Sequence, residues 1–250
     1  MSKQRRRVPI NANEVDVHSC TIDLRLGILH NLPFFKILSR DEVSEVNKFF
    51  NDVHFAPGEN VYFSGDRAAR LYVIASGTVK LFKYSSDGKT VLIDVLKQGE
   101  FFGNLDPSGE AVYVETAEVQ TASCILNIDS NNFRNILEKY PNSALIVLDI
   151  ISKRLRESYE MLRQLSAQPV ENRIFYTLLK LAEKLGEQKE IGLLIQIPLS
   201  RKDIAEMTGT TPETASRIMS KLQNDDIIVT GRKWIAIKNI NYLKRIVETN

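Results

Sequence analysis

The period of the hydrophobic positions changes twice along this chain. Residues 1–20 are polar, carry Arg5, Arg6 and Arg7 and show no period, which reads as an arm. Over 32–52 (LPFFKILSRDEVSEVNKFFND) apolar residues recur at helical spacing, with Ser39 placed to cap a helix ahead of Asp41 and Glu42. From Val53 to Phe133 the pattern becomes that of short strands: VHFAP, NVYFS, LYVIAS, TVKLFKY, TVLIDVL, AVYVETAEVQ and SCILNI. They are separated by Pro57-Gly58, Gly65-Asp66, Ser76-Gly77, Asp87-Gly88 and Gln98-Gly99. Short strands at about 8–12-residue spacing predict a β-sandwich or barrel. Asp87-Gly88 predicts a hairpin, because glycine supplies the positive φ that a tight turn demands.

After Phe133 the period is helical again. From Pro141 to Gln168, the positions Leu148, Ile151, Leu155, Ser158, Leu162 and Leu165 follow 3-4-3-4-3 spacing, the mark of a coiled-coil seam. A seam this narrow implies a partner helix, most economically that of a second copy of the chain running parallel. Packing on the chain's own strands is the alternative, and the two can use different faces. Gln168-Pro169 stops the helix, since proline lacks the next N–H and restricts its predecessor. Residues 170–185 form an amphipathic helix closed by Gly186. LLIQIPLS follows as a strand, Ser200 caps a helix through Thr208, Gly209 makes a turn, and Pro212 starts a helix through about Asn224. IIVTGRKWIAIK closes as a hairpin with Gly231-Arg232 at its tip. The predicted organisation is α+β: an arm over 1–30, a β domain over 31–140, a dimerisation helix over 141–168 and a helix–turn–helix unit with a closing hairpin over 169–250.

Composition adds limits. The chain has 250 residues, 43% hydrophobic and 26% charged, an ordinary soluble balance for about two domains. No apolar run reaches the ~18 residues of a spanning helix, and no apolar stretch of signal type follows the basic N-terminus, so no membrane partner and a cytoplasmic location are expected. Residues 169–250 carry 13 Lys/Arg against 10 Asp/Glu, whereas residues 1–168 carry 20 against 21. This mild asymmetry permits a DNA-binding C-terminus. Cys20 and Cys124 are too few for a disulfide framework or an all-cysteine cluster. No nucleophile–base set or phosphate-binding glycine loop is present, and only His54 falls in the β region, so neither enzymatic activity nor a cupin-type metal site is expected.

The stretch from Ser200 to Asn224 followed by a hairpin is a winged helix-turn-helix pattern. Ile204, Ala205, Met207, Ala215, Ile218 and Leu222 would pack the two helices, with small Ala205 and Gly209 at their approach. That leaves Arg201, Thr211, Glu213, Thr214, Ser216, Arg217 and Lys221 outside. A recognition helix reads base edges with its N-terminal residues. Arg217 suits a bidentate contact to guanine and Glu213 can accept from a cytosine amine. Ser200, Thr211, Thr214, Arg232 and Lys233 suit phosphate contacts. The plainer reading of Glu213 and Arg217 is an ordinary i,i+4 pair.

SRKDIAEMTGTTPETASRIMSKLQNDDIIVTGRKWIAI resembles the helix-turn-helix of the catabolite activator/FNR family of bacterial regulators. Glu213-Thr214-Ala215-Ser216-Arg217 looks like the FNR-side signature, and Pro212 stands where the catabolite activator side has arginine. The resemblance implies a homodimer on a palindrome of TTGAT-type half-sites and contact with RNA polymerase. PGENVYFSGD (57–66), LYVIASGTVKLF (71–82) and GEFFGNL (99–105) further resemble the family's cyclic-nucleotide-binding β-roll, a double-stranded jelly roll. Carried over from it, the effector pocket would involve Gly99, Glu100, Gly103, Asn104, Tyr113, Val114, Ser158 and Tyr159. The family's phosphate-binding Arg-Ser is here Tyr113-Val114, and its ribose-binding Glu is Asn104, so cyclic AMP is not expected to bind. The FNR-like iron–sulfur site implies four cysteines. Cys20 and Cys124 lie near two of those places, and His18 and His30 would have to complete a mixed set. Haem has His18, His30 and His54 as candidate ligands. The small effector stays open. The alternative to a transcription regulator is a β-roll regulatory subunit that gates a protein partner.

Overall fold

The computed structural model describes residues 20–104 and 110–249. These divide into two compact units, the first running to Ser158 and the second from Tyr159 onward.

In the first unit, residues 22–30, read above as part of an arm, lie in helix α1 (Ile22–Asn31), whose N-cap Thr21 accepts from the Leu24 N–H at 3.2 Å. Sequence periodicity missed α1 because its buried residues, Ile28 and Leu29, fall at one end and make no stripe. Helix α2 (Arg40–Asn47) begins at Ser39 with a full capping box closed by Glu42, as the sequence predicts. Eight strands follow: β1 (Asn51–Phe55), β2 (Asn60–Tyr62), β3 (Arg70–Ser76), β4 (Thr78–Tyr84), β5 (Thr90–Lys97), β6 (Phe101–Gly103), β7 (Thr116–Val119) and β8 (Ser123–Asp129). They make two four-stranded antiparallel sheets, ordered β1-β8-β3-β6 and β2-β7-β4-β5. Gly58, Gly65, Gly77, Gly88 and Gly99, all at the turns predicted from sequence, have positive φ.

The first sheet is buried on both faces. Tyr72, Ile74 and Ile125 point toward the second sheet, while Leu71, Val73, Leu126 and Ile128 meet the helices. This explains why SCILNI reads as an unbroken apolar run. Helix α3 (Ser130–Lys139) covers that helical face through Phe133 and Ile136. Helix α4 (Pro141–Ala167) starts on the same core with Val147, beside the partly buried Ile146 and Ile150.

The second unit holds the end of α4, then α5 (Val170–Leu185), β9 (Gly186–Lys189), β10 (Gly192–Ile195), α6 (Arg201–Thr208), α7 (Pro212–Asn224), β11 (Ile228–Gly231), β12 (Trp234–Ile237) and α8 (Ile240–Thr249). Its sheet runs β11-β12-β10-β9. Two expectations change here. Gly186 closes α5 with φ −76 and ψ 137, not in the left-handed form. It is required instead because a Cβ would strike the Ala182 carbonyl and the Leu193 side chain. The hairpin pairs Gly231 with Trp234, so its tip is Arg232-Lys233, one residue later than read above. Lys233 takes the left-handed conformation there, φ 61. A side chain at 231 would run into the Trp234 indole, which fixes glycine before the tip and not in it. No helix among the described residues is long and apolar enough to cross a membrane.

Candidate functional site

Two caps and one glycine build the outer surface of the second unit. Ser200 Oγ accepts from the Asp203 N–H at 3.1 Å, and the Asp203 carboxylate accepts from the Ser200 N–H and hydroxyl, both at 2.7 Å. Gly209 ends α6 in the left-handed conformation, φ 59 and ψ 43. Thr211 then caps α7, accepting from the Thr214 N–H at 3.2 Å, and Pro212 occupies the first turn. The hydroxyls of Ser200 and Thr211 are therefore engaged in caps, which competes with the phosphate contacts read for them from sequence. Ile204, Ala205, Ala215, Ile218 and Leu222 are buried between the helices as read above. Met207 is only half-buried, and Met219, which sequence reasoning passed over, is fully buried.

Glu213, Arg217 and Lys221 stand exposed along α7, with Thr214 and Ser216 half-buried beside them. The Arg201 guanidinium donates to Ser216 Oγ at 3.1 Å and Ser220 Oγ at 3.4 Å, so Arg201 braces α6 against α7. Lys221 Nζ pairs with Glu171 at 2.9 Å, which holds its ammonium above the usual lysine range. Neither partner was legible in sequence, since they lie 15 and 50 residues away. Arg217 makes no hydrogen bond or ion pair among the described residues, and the i,i+4 pair with Glu213 is not formed. The Glu213 carboxyl is held below the usual carboxylate range by its own backbone N–H and by Thr211. At neutral pH it is an ionised acceptor at a helix N-terminus, beside the positive end of the helix dipole.

The wing closes this surface. A cleft of about 320 Å³ opens between it and the helix-turn-helix, with Arg201, Arg232 and Lys233 among its lining and Met219 and Trp234 as its apolar wall. Three cations on one concave rim suit the phosphates of a backbone.

The first unit encloses a different surface. Between its sheets Tyr62 stacks on Tyr113 with ring centroids 3.7 Å apart, and Tyr72 stacks on Phe102 at 5.3 Å. The Tyr113 hydroxyl donates to the Arg70 carbonyl and accepts from the Arg70 N–H, each at 3.2 Å, and Tyr62 donates to Glu115 at 2.8 Å. Burial raises the hydroxyl pKa of both tyrosines well above the ordinary value. Among the described residues, those read from the resemblance as an effector pocket have several different surroundings. Tyr113 is in the aromatic core, Val114 is 62% exposed, and Glu100 is turned to the Lys97 N–H at 2.9 Å. Gly99 and Gly103 have positive φ, and a side chain at 103 would come within 2.6 Å of the Arg70 carbonyl. Asn104 ends the described stretch. Ser158 donates to the Arg154 carbonyl at 2.9 Å and Tyr159 is 63% exposed. The Tyr113 hydroxyl is thus already engaged with the backbone of β3.

Cys20 and Cys124, read above as candidate metal ligands, are joined to each other in a disulfide. The pair closes a separation of 104 residues with Cα atoms 6.3 Å apart, a contact that spacing alone could not disclose. The third group beside the sulfurs is Asp52, not His30. His18 lies outside the described residues. Two cysteines, bonded to each other, do not fit a four-thiolate iron–sulfur cluster.

Comparison with known proteins agrees with both units. The family model "Cyclic nucleotide-binding domain" matches residues 52–140, and "Crp-like helix-turn-helix domain" matches 172–246. The cyclic AMP receptor protein of Thermus thermophilus is 28% identical over 220 residues, 86% of this chain and 96% of that protein. The global nitrogen regulator of Synechococcus elongatus is 26% identical over 74% of this chain and 84% of its own length. Among solved structures, FixK2 from Bradyrhizobium japonicum superposes with a TM-score of 0.70 at 21% identity, covering 79% of this chain and 96% of FixK2, a likeness of fold.

Proposed function

Because the chain belongs to the Crp/Fnr family of transcription regulators, we propose that it acts as a homodimer on a palindromic TTGAT-type DNA site under the control of its β-roll. The observation that carries this is the row of exposed apolar side chains on α4. Leu145, Leu148, Ile151, Leu155, Leu162 and Leu165 are each 40–62% exposed. The start of the same helix packs on the β-roll through another face, and Arg154 there stacks on Phe101 at 4.2 Å and donates to its carbonyl. One face is thus satisfied within the chain and one is not, which supports a second copy of the helix as its cover. Two copies bring two recognition helices, and two-fold symmetry requires a palindrome. Contact with RNA polymerase belongs to the same proposal and rests on the family alone.

Competition binding with single-base variants of a TTGAT palindrome tests this. Nanomolar, salt-dependent binding that single-base changes weaken is the expected outcome. Equal affinity for random duplex would sink sequence-specific reading.

Two further results are expected. Lys233→Ala should weaken specific and random duplexes alike and reduce the magnitude of the salt slope by about one unit per monomer contact, because a phosphate contact carries no base information. A loss confined to the specific duplex would refute that role. Calorimetry with cyclic AMP should show no binding at micromolar concentration, given Tyr113 and its stacked neighbours. A micromolar dissociation constant would overturn this.

A further inference from the structure

We propose that a pocket between β1, β2, β3 and β8 is a binding site for a small aromatic monocarboxylate, with the Arg70 guanidinium holding the carboxylate. Binding there does not depend on the DNA-binding reading. None of the residues carried over from the resemblance as an effector pocket lines this one.

The pocket follows from register. Across the first sheet, Val53 pairs with Ile125 and Ile125 with Ile74, while Asn51 pairs with Asn127 and Asn127 with Tyr72. Residues directly opposite one another share a face, so both rows point toward the second sheet. Arg70, two residues before Tyr72 on β3, lies on that face as well. Val61 of β2 closes the space from the other sheet. The volume is about 150 Å³, of the size that holds a benzene-like group. Val53, Phe55, Val61 and Ile125 make the wall apolar, and Tyr72 is shared with the ring core.

The polar end of the pocket carries one charge, because Arg70 is the only charged side chain in its lining. The Arg70 guanidinium donates to Asn127 Oδ1 at 2.8 Å. Asn127, only 3% exposed, donates in turn to the Asn51 carbonyl at 3.3 Å. A neutral amide orients the fork without neutralising it. Asp129, opposite Arg70 in register, is engaged elsewhere, capping α3 by accepting from the Asn131 N–H at 2.8 Å. Arg70 makes no ion pair among the described residues. A guanidinium with donors left over, set beside an apolar cavity, matches a carboxylate held in bidentate geometry. One cation with no second beside it suits a monoanion and not a doubly charged phosphate ester. The strand that presents it is fixed, since the Tyr113 hydroxyl bonds both the N–H and the carbonyl of Arg70, each at 3.2 Å. The body of the ligand would meet Phe55 and Tyr72, and aromatic rings gain from one another beyond their buried area.

The test uses the full chain with benzoate as the probe, followed by calorimetry and hydrogen exchange. Benzoate should bind saturably with a dissociation constant of about 0.1–1 mM, as expected of a ligand with so few heavy atoms. Benzamide has the same shape without the charge, and should bind at least roughly tenfold more weakly. Arg70→Gln should weaken benzoate by roughly tenfold and leave benzamide nearly unchanged. Arg70 is exposed and its strand is fixed through the main chain, so this variant should fold as the parent does. Val61→Phe, which fills the pocket, should abolish binding of both. Bound benzoate should slow amide exchange in β1 and β3 and not in α7. No saturable binding up to about 10 mM overturns the proposal. Equal affinity for benzoate and benzamide, a comparison that needs no variant, overturns it too. So does equal affinity of the parent and Arg70→Gln for benzoate, or slowed exchange confined to α7. Acetate binding as tightly as benzoate would leave a carboxylate contact without the apolar pocket, and the proposal falls with it.

Discussion

Replacing Leu155 or Leu162 by aspartate is expected to give monomers at low micromolar concentration, with duplex affinity reduced at least about a hundredfold. Each leucine, 51% and 61% exposed in the single chain, would be covered only by a second copy. Covering one such side chain is worth about 1.5–3 kcal/mol. A two-fold interface carries every substitution twice and sets like positions across the axis. The variant thus loses both leucines and faces two carboxylates in a closed seam, where an unpaired charge costs several kcal/mol more. Monomers engage one half-site at a time and lose the second as an intramolecular event. Analytical ultracentrifugation decides it. Variants that remain dimeric at low micromolar concentration would show that this face is not the interface. Folding is a small concern, because neither side chain is buried in the single chain.

The second large effect concerns base reading. Arg217→Ala should cost ~1–3 kcal/mol per half-site on a TTGAT palindrome and relax preference at the guanine. Among the cations on α7, Lys221 is tied to Glu171, whereas Arg217 has its fork of donors uncommitted among the described residues. Arg201 is tied as well, to Ser216 and Ser220. Glu213, one turn before Arg217, is kept ionised by its cap contacts and can accept from cytosine. Profiles of Arg217→Ala across single-base variants test the assignment. A uniform loss with no relaxed position would mean that this arginine touches backbone only.

The order of elements was legible because it is written in local chemistry. Ser39, Ser200 and Thr211 cap helices through bonds to the third residue on, Gly209 supplies a left-handed turn, and the α4 seam repeats within two turns. Such signals need no distant partner. The short strands β6 and β9 were missed because three or four residues carry no period, and α8 because its apolar positions gain meaning only when Leu243 and Tyr242 reach α5. The site divides in the same way. That Arg217 and Glu213 face outward follows from helical spacing, and so belongs to the sequence. Which cations are already engaged does not, because Arg201 and Lys221 find their partners through the packing of α6, α7 and α5. Tyr113 stands where the resemblance puts a phosphate-binding arginine, yet only the meeting of β2, β3 and β6 around it makes it part of a four-ring core. The cysteines are the extreme case. A bond across 104 residues is decided by where α1 settles on β8, and no local rule encodes that distance.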